Sequence, residues 1–89
     1  MGVARFRTKR LGEKLRQIRD ALGLSQSEML RRLGFADDIW YTQISAYEMG
    51  RREPPLVILL EYARAAGVSI DILADDKLDL PAKLPARRK

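Results

Sequence analysis

Eighty-nine residues make one small domain, near the lower limit for a chain that folds without disulfides or metals. There is no cysteine and no histidine, which removes a disulfide framework, a thiolate nucleophile, a cysteine-based zinc site and the commonest general base. The net charge of +5 sits at the ends: taking Arg5, Arg7, Lys9, Arg10, Lys83, Arg87, Arg88 and Lys89 from seventeen Lys and Arg leaves nine against twelve acids, about −3 for residues 11–80. High pI alone is therefore a poor argument for a nucleic-acid partner, and placement of charge has to carry it.

No apolar run approaches the roughly 18 residues of a membrane helix, and the N-terminus lacks the apolar core of a signal peptide. The expectation is a soluble, cytoplasmic protein that needs no metal and no cofactor. Residues 1–8 read as a basic N-terminal arm, 9–75 as the folded domain and 76–89 as an extended basic C-terminal tail.

Five helices are predicted in an all-α domain. The first runs from about Lys9 to Leu22, with Leu11, Leu15, Ile18 and Leu22 on one face. Thr8 is its expected N-cap and Gly23 its stop. The second spans about Gln26 to Leu33, with Ser25 and Glu28 spaced as a capping box. The third ends at Met49, closed by Gly50, and its start is open; Asp37 could cap an extra turn before it. Pro55 is placed in the first turn of a fourth helix, which carries Leu56, Leu59, Leu60, Ala63 and Ala66 inward and stops at Gly67. Ser69 then caps a short fifth helix containing Ile70 and Leu73. Beyond Asp75 the chain is either a short edge strand, with Leu78 and Leu80 on one face, or a tail draped on the domain.

Residues 24–55 thus give two short helices joined by a turn, then a glycine stop and an arginine pair. They resemble the helix-turn-helix domain of the phage repressor and Cro family. The matching residues are Leu24-Ser25-Gln26, Leu33-Gly34, Ile44-Ser45, Glu48-x-Gly50-x-Arg52 with Pro54-Pro55, and the run from Gly67 to Leu73. The resemblance covers roughly residues 11 to 74. It implies a five-helix DNA-binding fold whose third helix enters the major groove. This chain departs from the family in having ten positions from Gly34 to Ile44, against about six. Leu30 also stands where a small alanine is usual.

The resemblance makes Gln26 a backbone-phosphate ligand at the start of the second helix, with Ser25, its cap, a further phosphate-binding residue there, where free N–H groups and the helix dipole favour an anion. It also makes Arg19 and Glu48 a pair that braces the reading helix, a mainly architectural role. Arg51 and Arg52, just past that helix, suit flanking phosphates, although a basic pair is more often plain solvated surface. Rotation by about 100° per residue assigns Trp40, Ile44 and Tyr47 to the core and turns Thr42, Ser45 and Met49 outward, with Tyr41 and Ala46 on the flanks. Tyr41, Thr42, Ser45 and Ala46 are the expected base readers, and Gln43 a flanking phosphate ligand.

The combined expectation is a transcriptional regulator of Cro-like or controller type. It would bind double-stranded DNA as a homodimer on a near-palindromic operator. Ile58, Tyr62, Ile70 or Leu78 are the expected dimer surface. The alternative from another class is an antitoxin, a module that binds a partner protein as well as its own promoter. An enzyme is not expected, because the Asp37-Asp38 and Asp75-Asp76 pairs lack a base or nucleophile. RNA recognition is disfavoured because no exposed aromatic platform is evident.

Overall fold

The structure, a computed structural model, describes residues 7–85. Those residues form α1 (Leu11–Leu22), α2 (Gln26–Leu33), α3 (Thr42–Glu48), α4 (Leu56–Ala66) and α5 (Ile70–Ala74), with no strand among them. The stripe Leu11, Leu15 and Ile18 of α1 is buried as its spacing requires, against Leu30, Leu33, Ile44, Tyr47 and Leu73 from the other helices. Within α2, the Ser25 hydroxyl accepts from the Glu28 N–H at 3.1 Å and the Glu28 carboxylate accepts from the Ser25 N–H at 2.8 Å. The capping box is therefore complete, and those two bonds hold the Glu28 carboxyl below its ordinary pKa.

Several helix starts differ from expectation. α1 begins at Leu11 rather than Lys9, and Thr8 does not cap it: the Thr8 hydroxyl is buried with no partner among the described residues. The cap comes from far along the chain, because the Asp76 carboxylate accepts from the N–H groups of Lys9 and Arg10 at 2.8 and 3.1 Å. Pro55 is the N-cap of α4, in extended geometry, rather than a residue of its first turn. Ser69 precedes α5 without a side-chain capping bond. Asp37 caps nothing: residues 36–38 form a turn closed by N–H bonds from Asp38 and Ile39 to the Phe35 carbonyl.

The face of α4 is also rotated from its expected setting. Leu56 and Leu60 are exposed, at 72% and 37%, while Ile58 and Tyr62 are buried with Leu59, Ala63 and Ala66. With one face so densely apolar, a stripe on Leu56, Leu59 and Leu60 and another on Ile58, Leu59 and Tyr62 both have helical spacing. The second wins because it aligns with Ala63 and Ala66 over the full length of the helix.

Residues 75–85 run back over the domain as a strap rather than an edge strand, so the draped alternative is the observed one. Leu84 is buried at 6%, Leu80 is packed against the core, and Leu78 stays exposed. Arg10 fastens the strap by donating to the carbonyls of Asp76 and Leu78 and to the Asp79 carboxylate. Lys14 is fully buried on the core face of α1. Its ammonium donates to the carbonyls of Ile72 and Asp75 at 2.8 and 2.9 Å, satisfying free acceptors at the C-terminus of α5.

Candidate nucleic-acid interface

The site is organised by the junction of α1 with α3. Gly12 faces the end of α3 so closely that a Cβ there would lie 2.6 Å from the Glu48 carbonyl oxygen and 2.8 Å from that of Tyr47. Only glycine permits this approach, which brings Arg19, two turns further along α1, level with Glu48. The Arg19 guanidinium donates to both Glu48 carboxylate oxygens, at 2.6 and 3.0 Å, and to the Leu24 carbonyl at 3.0 Å. The two side chains are 15% and 4% exposed. A bidentate, largely desolvated pair of this kind fixes orientation. The hydrogen bond to Glu48 raises the Arg19 pKa above its ordinary value.

The brace also reaches α2. The Gln26 side-chain amide lies 3.5 Å from the Glu48 carboxylate, a weak contact that sets the start of α2 beside the end of α3. Ser25 is exposed and engaged in its capping box, and Gln26 is half-buried at the first position of α2. Three helices therefore meet at one charged junction.

α3 is short, and its faces divide cleanly. Ile44 and Tyr47 are buried, Thr42 and Tyr41 are exposed, and Gln43, Ser45 and Ala46 are half-buried. The Ser45 hydroxyl lies 3.6 Å from the Met49 sulfur. Arg51 and Arg52 project into solvent, while their backbone N–H groups close on the Ala46 carbonyl at 2.9 and 3.4 Å. The chain can turn there because Gly50 adopts a φ of 76°. The five residues expected to hold phosphates therefore fall at the start of α2 (Ser25, Gln26), within α3 (Gln43) and just past it (Arg51, Arg52).

Trp40 is the clearest correction. Expected in the core, it is 78% exposed. The rotation argument assumed a helix running through residue 40, but helical geometry begins at Tyr41 and Thr42. Phe35 and Ile39, packed against the core one turn apart, fill the space beneath the turn. Trp40 follows Ile39 and is left outside. Together with Tyr41, 49% exposed, it forms an aromatic surface where no exposed aromatic platform was expected.

Three residues that organise the site escaped the sequence reading: Gly12, Lys14 and Asp76. The first had a signal, since a glycine inside a helical pattern implies a close approach. A lysine on the core stripe of α1 was a second. Asp76 had none, because its partners lie at the other end of the chain. No group of His, Cys, Asp or Glu able to hold a metal ion occurs among the described residues, and no helix there is long and apolar enough to cross a membrane.

Comparison with known proteins agrees with this geometry. The family model described as helix-turn-helix matches residues 15–73. The chain is also similar to the uncharacterized HTH-type transcriptional regulator y4dJ of Sinorhizobium fredii (strain NBRC 101917 / NGR234). The two are 38% identical over 61 residues, which is 68% of this chain and 74% of the relative.

Proposed function

We propose, from the premise that this chain belongs to the Cro/C1-type helix-turn-helix family of DNA-binding transcriptional regulators, that it is a sequence-specific regulator reading an operator's major groove with α3. The observation that carries the reading is the Arg19–Glu48–Gln26 junction. It ties α1 to the end of α3 and sets the start of α2 beside it, while leaving Thr42 on the outer face of α3 exposed.

In this reading Thr42 and Ser45 bond base edges, Tyr41 and Ala46 make apolar contact with thymine methyls, and Arg51 and Arg52 hold flanking phosphates. Gln26 and the first N–H groups of α2, next to Ser25, take a phosphate on the other side, and Gln43 takes one at the flank. The protein acts on cytoplasmic DNA as a Cro-like or controller-type homodimer without catalysis. The dimer surface passes from Ile58 and Tyr62, which are buried, to the exposed Leu56, Val57 and Leu60. An antitoxin that offers residues 78–84 to a partner is disfavoured, because Leu84 is already buried in the chain's own core.

Selection of bound sequences from random duplexes tests the reading. The expected result is a two-fold symmetric motif whose half-sites lie about one helical turn apart, roughly 34–36 Å. Absence of any enriched sequence at low and moderate salt would overturn it.

A further inference from the structure

Residues 11–80 carry about −3, so cations placed ahead of α1 would add to the backbone contacts of Arg51 and Arg52 in a DNA complex. Arg7 and Lys9 are the described cations ahead of α1 that reach the α3 side of the molecule. Arg7 donates to the Gly50 carbonyl at 3.2 Å and lies 3.6 Å from the Glu53 carboxylate, both loose contacts. Arg7, Lys9 and Arg52 line one depression of about 360 Å³ over the end of α3, together with Gly50 and the acid Glu53. What holds the arm there is the strap: the Asp76 carboxylate grips the N–H groups of Lys9 and Arg10, and Arg10 grips the strap in return.

We propose that Arg7 and Lys9 are DNA-backbone ligands continuous with Arg51 and Arg52, aimed by the C-terminal strap through Asp76. The inference rests on the DNA-binding reading and extends it to a second basic segment. On binding, a phosphate displaces Glu53 as the partner of Arg7, and each neutralised phosphate releases counterions, so affinity falls with salt at a slope of about −0.9 per contact.

The test uses the full chain and a short random-sequence duplex, read by fluorescence anisotropy across a salt series. Arg7→Ala and Lys9→Ala should each reduce the salt slope by about one, so that a fourfold rise in salt costs each variant about 3-fold less affinity than it costs the wild type. Lys83→Ala, on the outer surface of the strap, should leave the slope unchanged. Asp76→Asn discriminates by sign. It removes a negative charge, so general electrostatics favour tighter binding, whereas loss of arm positioning weakens binding and lowers the slope. Circular dichroism of each variant confirms that α1–α5 are retained. Tighter binding by a folded Asp76→Asn variant, or unchanged slopes for Arg7→Ala and Lys9→Ala, would overturn the inference. If the wild-type chain bound no duplex, the DNA-binding reading itself would fall.

Discussion

The α1–α3 junction and the α2–α3 turn flank the same helix, α3, yet they are built on opposite terms. At the junction each element is held more than once: Gly12 sets the approach, Arg19 and Glu48 make a bidentate bond, and the strap secures the start of α1. The turn over residues 34–41 is held by short-range backbone bonds, among them those from Asp38 and Ile39 to the Phe35 carbonyl, and by the packing of Phe35 and Ile39, and it leaves Trp40 in solvent. One side therefore fixes where α3 sits, and the other is free to set what surrounds its leading end. In a DNA-reading domain this division lets the contact surface change without unfolding the frame.

Removing one half of the buried pair should have the largest effect on stability. Glu48→Ala strands the Arg19 charge in a site 15% exposed, and breaking such a pair costs about 3–5 kcal/mol. Denaturant titration would show it, and a loss below about 1 kcal/mol would mean the pair is dispensable. Gly12→Ala comes next. Its Cβ meets backbone carbonyls rather than a flexible side chain, so α1 and α3 must separate, at an overpacking cost of about 1–3 kcal/mol. An unshifted midpoint would show that the helices have room to part.

Acid sensitivity sharpens the same contrast. Asp76 is held below its ordinary pKa of 3.8 by the N–H groups of Lys9 and Arg10. A carboxyl depressed in the folded state stabilises fully above its unfolded value, and the contribution is lost as the pH falls through the depressed one. Stability should therefore decline below about pH 4, and Asp76→Asn should flatten that limb while leaving less stability at neutral pH. Parallel pH profiles would remove the strap's capping bond from the account. The smallest effect belongs to the turn: Trp40→Ala should change stability by no more than about 0.5 kcal/mol, as for an exposed site. A larger loss would mean that the turn supports the frame after all.

Much of this architecture was legible in the sequence, for identifiable reasons. Gly23, Gly50 and Gly67 punctuate helices whose apolar spacing is strong, and Ser25 with Glu28 is a local signal that needs no tertiary knowledge. Arg19 and Glu48 came from the family resemblance, and their geometry is that of a brace. What failed was non-local or depended on where a helix begins. Thr8 looked like a cap because the true acceptor, Asp76, lies at the other end of the chain. Trp40 looked buried because helical rotation was carried back past Tyr41, ahead of the first helical residue. Leu56 and Leu60 were placed inward because an almost wholly apolar helix offers two stripes of equal appeal.

The central claim, that α3 reads bases from Thr42 onward despite the longer turn, is tested most directly by repeating operator selection with two variants side by side. Thr42→Ala should change the preferred base at one position per half-site, at a cost of about 1–3 kcal/mol there, with nonspecific affinity nearly unchanged. Asp38→Ala, in the turn, should select the wild-type motif. Altered preference confined to the Asp38 variant would contradict the register and move the reading surface into the turn.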